Sequence, residues 1–95
     1  MVKEVRCIVK GRVRGVMYRD FTQRNARGLD VIGTVENLPD NSVEIVAQGE
    51  ESNLKKFIEI LRKGPILTSI KARVDKVEVI WNKPTKKFSG FKIIY

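Results

Sequence analysis

The sequence has no histidine, a single cysteine and no apolar run that approaches the length of a membrane span. Without histidine, no side chain has an ordinary pKa near neutrality, so acid–base chemistry resting on an imidazole is excluded. One cysteine, Cys7, excludes an internal disulfide and fits a reducing compartment. The opening residues, Met1-Val2-Lys3-Glu4-Val5-Arg6-Cys7, lack the unbroken apolar stretch of a signal peptide, so a cytoplasmic location is expected and no membrane partner. Donor sets for a metal are also missing. Glu44, Glu50 and Glu51 fall on a strand exterior and a helix start, where solvation and the helix dipole explain them. No metal and no cofactor are expected.

What is present is positive charge, unevenly placed. The formal net charge is +8. Residues 1–27 hold eight Lys or Arg against Glu4 and Asp20, a net +6, and the remaining eleven against nine leave only +2. An anionic partner is therefore expected near the N-terminal third, although charge alone does not separate a phosphate ester from nucleic acid. The 95 residues are read as a single domain, 1–95, able to bury roughly 60 to 70 percent of its unfolded surface.

Along the chain, residues 4–10 alternate, with Val5, Cys7 and Val9 inward and Glu4, Arg6 and Lys10 largely outward, which predicts a half-buried strand. Helical spacing over Tyr18 to Leu29 predicts a first helix, with Met17, Tyr18 and Phe21 read as core. Asp30 occupies the following turn, tolerable because Asp visits left-handed conformations more easily than most residues. Val31 to Asn37 reads as strand two, Leu38-Pro39-Asp40-Asn41-Ser42 as a hairpin turn, and Val43 to Gln48 as strand three. After Gly49, Leu54, Phe57, Ile58 and Leu61 sit at i, i+3, i+4 and i+7, and Lys63-Gly64-Pro65 closes this second helix. Residues 66–71 read as a loop, Ala72 to Trp81 as strand four with Trp81 at the core or its edge, 83–87 as a turn, and Phe91 to Tyr95 as a last strand. The order predicts a ferredoxin-like α/β sandwich, βαββαβ, with four antiparallel strands, a C-terminal fifth, and both helices on one face.

The informative stretch is Gly11-Arg12-Val13-Arg14-Gly15-Val16-Met17-Tyr18-Arg19, between the first strand and the first helix. Glycines let successive N–H groups converge, and a helix N-terminus adds partial positive charge, so strand, glycine loop and helix start make an anion site. The phosphate-binding loop is read as Arg14, Gly15, Val16, Met17, Tyr18 and Arg19, with Arg19 gripping two oxygens through its planar fork. It is not a nucleotide P-loop, because Val16-Met17 replaces the Lys-Ser or Lys-Thr pair. Taken alone, the glycine pair also fits a plain strand-to-helix connection. Cys7 sits inside a strand, twelve residues before Arg19, and reads as an inert buried thiol, since a Cys-dependent phosphatase needs its thiol at the loop.

Together with Gly33-Thr34-Val35-Glu36-Asn37-Leu38-Pro39-Asp40, this stretch resembles the paired signature of the acylphosphatases, and the resemblance runs from about Val5 to Tyr95. It implies a small, metal-free hydrolase that cleaves the carboxyl–phosphate bond of a small-molecule acyl phosphate. It also implies that Arg19 and the loop N–H groups bind phosphate, and that Asn37 positions the attacking water. Arg14 stands where the family usually has Gln, and Met17 where it often has a small or aromatic residue; Arg14 bears on substrate preference.

An acyl phosphate fits a chain without histidine. Its leaving carboxylate has a conjugate acid with a pKa of about 4, so it departs at neutral pH without a proton donor. Two other readings belong to different classes. An RNA-binding module shares the element order, but the strands read as central, one and three, carry no aromatic residue for base stacking. A catalytically idle interaction domain would keep the fold without Arg19 and Asn37 having work to do. Nucleic acid is not expected as a partner, and the chain is expected to be a monomer.

Overall fold

The computed structural model describes residues 1–13, 16–65 and 73–95. The element order is β1 (Val2–Arg12), α1 (Val16–Gly28), β2 (Ile32–Asn37), β3 (Val43–Glu50), α2 (Glu51–Lys63), β4 (Arg73–Asn82) and β5 (Phe91–Ile94). Four strands pair antiparallel in the order β4-β1-β3-β2, and β5 joins the outer edge of β2 in parallel, so the completed five-stranded sheet is mixed. Because β1 and β2 are both antiparallel to β3, they run in the same direction and finish at one end of the sheet.

Alternation puts Val5, Cys7 and Val9 of β1, Val35 of β2 and Val43, Ile45 and Ala47 of β3 on one buried face. Against it lies the apolar stripe of α2, where the four residues at i, i+3, i+4 and i+7, Leu54, Phe57, Ile58 and Leu61, are all buried. Gly64 ends α2 with φ 70° and returns its N–H to Ile60 O at 3.0 Å. Helix α1 packs on β2 and β5. Phe57 meets Phe91 edge to face at 6.0 Å, a contact worth about 0.5–1.5 kcal/mol beyond its area, and so ties the short last strand to the core. Burial pushes the Cys7 thiol up to about 12 despite the nearby Arg62 charge, so it stays protonated at neutral pH.

The structure corrects several sequence expectations. Strand β1 continues beyond residue 10 to Arg12, and Gly11 belongs to its ladder instead of to a loop. A side chain at Gly11 would meet Arg73 O at 2.1 Å, at the point where the pairing register with β4 shifts between Lys10 and Gly11. Helix α1 starts at Val16, two residues earlier than the spacing predicts, and Met17 is 47% exposed instead of in the core. Trp81 is 41% exposed: it shares a face with Val77 and Val79, but at the strand end it borders an open groove of about 760 Å³ with Val2, Lys55 and Pro84.

Glu4 is the largest departure. Expected to point to solvent, it is 4% exposed, because the connection from β4 to β5 must pass β1, β3 and β2 to reach the opposite edge. On that path Thr85 donates to Glu4 from its N–H and its hydroxyl, and Gln48 donates to both Glu4 and Lys86 O. Residues 66–71 and the expected first residue of strand four, Ala72, lie outside the described residues.

Candidate active site

The end of the sheet where β1 and β2 finish gathers the residues of interest. Asp30 leads the chain there: with φ 55° it is left-handed, and the turn is closed by Val31 N–H donating to Ala26 O at 2.9 Å. Strand β2 then starts against β3 so tightly that a Cβ at Gly33 would lie 1.8 Å from Val46 O. Beyond Asn37 the turn is built from its own side chains. Asp40 accepts from the N–H and the hydroxyl of Ser42, Asn41 takes φ 72°, and Leu38 N–H donates to Ser42 O at 2.8 Å. The two Ser42 hydrogen bonds hold the Asp40 carboxyl below its ordinary pKa. This hairpin fixes Asn37, the last residue of β2, opposite Val43.

Arg19 reaches the same region from α1. It is 8% exposed; Nη1 donates to Ile94 O at 3.4 Å, and the guanidinium lies 4.9 Å from the centroid of the Tyr95 ring. Strand β5 runs parallel to β2 with Ile94 opposite Glu36, so the next residues along, Tyr95 and Asn37, leave the ladder together. By alternation from the buried residues Val35 and Phe91, Asn37 and Tyr95 both fall on the helix-covered face, the side from which Arg19 descends. Asn37 Oδ1 is buried and has no hydrogen-bond partner among the described residues. A buried carbonyl oxygen left without a donor costs about 1–3 kcal/mol, so a partner such as a water or a substrate group is called for.

Of the expected phosphate loop, Arg14 and Gly15 lie outside the described residues. Val16 opens α1, so Val16, Met17, Tyr18 and Arg19 are its first four residues, whose N–H groups have no intrahelical acceptor. No acidic side chain occupies that first turn. The Tyr18 side chain belongs to the core: its hydroxyl donates to Leu61 O at 3.1 Å, and burial raises its pKa further above the ordinary tyrosine value. Any contact of Tyr18 with an anion is therefore through its backbone. Among the described residues, no group of three or more His, Cys, Asp or Glu converges as metal ligands would.

Sequence reasoning missed Ile94 and Tyr95. Alternation placed them in a strand, but only the parallel docking of β5 brings them to Arg19. The open face of the sheet offers no stacking platform, since β1 and β3, the strands inside β4 and β2, contain no aromatic residue.

Comparison with known proteins points to one family. The acylphosphatase family model matches residues 5–93. An acylphosphatase of Salinibacter ruber is 42% identical over 96% of this chain and 92% of its own. One of Thermus thermophilus is 49% identical over 80% of this chain and 82% of its own. The crystal structure of acylphosphatase from Bacillus subtilis superposes with a TM-score of 0.89 at 34% identity, covering all of both chains.

Proposed function

The chain belongs to the acylphosphatase family and is an acyl-phosphate hydrolase; from that premise we propose that Arg19 and the N–H groups of residues 14–19 bind the phosphoryl group while Asn37 positions the attacking water. The observation that carries this reading is the juxtaposition at the sheet end. The Arg19 guanidinium contacts the Ile94 carbonyl and the Tyr95 ring, and the register of β5 on β2 sets Tyr95 level with Asn37, whose buried Oδ1 is an acceptor in need of a donor.

The chemistry then needs only positioning and charge. The phosphoryl oxygens are met by main-chain N–H donors at the start of α1 and by the fork of Arg19, which stabilise the charge that spreads over them in a loose transition state. A water that donates one hydrogen to Asn37 Oδ1 is oriented with its lone pair toward phosphorus. Its oxygen forms the new P–O bond as the bond from phosphorus to the acyl oxygen breaks. The carboxylate leaves with the electron pair, unprotonated at neutral pH, and the water's other proton passes to a phosphoryl oxygen. The products are carboxylate and inorganic phosphate.

On this reading the enzyme works without metal, as a monomeric domain spanning residues 1–95, in the cytoplasm. The test is hydrolysis of a simple acyl phosphate with a chelator present, comparing wild type with Arg19→Ala and Asn37→Ala. Turnover that persists in chelator and falls on the order of 100-fold or more in Arg19→Ala is expected, by analogy with removal of one transition-state donor. Loss of activity in chelator with recovery on adding magnesium, or an Arg19→Ala enzyme of near-normal rate, would overturn it.

A further inference from the structure

Three side chains of α1 spaced four apart, Arg19, Gln23 and Arg27, form one stripe of the helix, and all three donate to main-chain carbonyls of β5. Arg19 Nη1 reaches Ile94 O at 3.4 Å, Gln23 Nε2 reaches Phe91 O at 2.9 Å, and Arg27 Nη2 reaches the same oxygen at 3.4 Å. Strand β5 is the edge of the sheet, and Gly90 O accepts from Gly33 N–H, so alternation turns the Phe91 carbonyl outward, away from β2. That carbonyl is a firm anchor, because the Phe91 side chain is buried against Phe57.

We propose that Gln23 is a positioning residue for Arg19: its bond to Phe91 O sets the height of α1 along β5 at which the guanidinium meets the Ile94 carbonyl and the Tyr95 ring. The proposal rests on the reading of Arg19 as the phosphate-binding residue. Gln23 makes the shortest of the three bonds from a half-buried, short side chain, whereas Arg27 is exposed and its long stem adapts to small shifts. One helical turn separates Gln23 from Arg19, about 6 Å along a rigid rod, so a slide of α1 on β5 carries the Arg19 backbone with it. Gripping two phosphate oxygens with a planar fork is sensitive to such a slide, and a misplacement of about 1 Å can cost on the order of 100-fold.

The test uses Gln23→Met, neutral and of similar length, and Gln23→Glu, of the same shape but without a donor. The readouts are affinity for inorganic phosphate by titration calorimetry, kcat and KM with benzoyl phosphate, and Tm. Both variants are expected to weaken phosphate binding and lower kcat/KM about tenfold, a fraction of the cost of a full misplacement. In an Arg19→Ala background, Gln23→Met is expected to cause no further loss, because nothing remains to be aimed. Wild-type phosphate affinity in Gln23→Met, or a tenfold loss that persists in the Arg19→Ala background, overturns the positioning role while leaving Arg19 in place. Wild-type phosphate affinity and turnover in Arg19→Ala would instead remove the reading beneath it.

Discussion

Arg19 donates to a carbonyl and lies over an aromatic ring, two contacts that restrict its guanidinium. Arg19→Lys keeps the charge but loses the plane, and we expect kcat/KM to fall on the order of 100-fold in a steady-state assay. For Asn37→Ala the expected signature is different: if Asn37 positions the water, as proposed, kcat falls while KM changes little. A variant that raises KM alone would make Asn37 a binding residue. Arg19 was singled out in the sequence because a permanently charged planar fork follows two glycines at the start of a helix. Its supports, Ile94 and Tyr95, were not, because no local pattern reports which strand edge a short terminal segment will join.

Among the elements, β2 has little freedom where it begins. Gly33 has φ 145° and no room for a Cβ, which would lie 1.8 Å from the Val46 carbonyl. Gly33→Ala therefore has to push β2 off β3, and chemical denaturation is expected to show a loss of several kcal/mol, at the upper end for single substitutions. Because Asn37 finishes this strand, activity should fall with stability. Helix α2 was fully readable, since its four apolar positions, its closing cation and its terminal glycine all agree. The start of α1 was misread by two residues because Met17, 47% exposed, carries no buried face to mark the boundary.

For the whole molecule, the consequential residue is one that the alternation of β1 assigned to solvent. Burial alone would raise the Glu4 pKa, but hydrogen bonds from Gln48 and from the Thr85 N–H and hydroxyl, with Lys86 nearby, outweigh it and hold the carboxyl below its ordinary value of 4.5. A depressed folded-state pKa means that this stabilisation is fully present above the unfolded value and is lost as pH falls through the folded one. Tm measured from pH 7 downward is therefore expected to decline below about pH 4.5, and Glu4→Gln to flatten that limb while lowering Tm at neutrality. An unchanged acid limb in Glu4→Gln would remove Glu4 from the cause. The field of the molecule gives a second global expectation. With most of the +8 net charge in the first 27 residues, kcat/KM for an anionic acyl phosphate should decrease with added salt, as screening shortens the reach of that field.

The sequence by itself determined the element types, the inward face of the strands and the apolar stripe of α2, because these follow from periodicities of two and 3.6 residues and from local turn chemistry. It also carried the family resemblance. Only the tertiary structure decided that the β4–β5 connection would cover Glu4, that β5 would dock parallel to β2, and that α1 would be clasped to it through Arg19, Gln23 and Arg27. Those contacts join residues 64 to 81 positions apart. At such separations pairing is set by which surfaces remain uncovered once the other strands have packed, a property of the assembled sheet and of no segment within it.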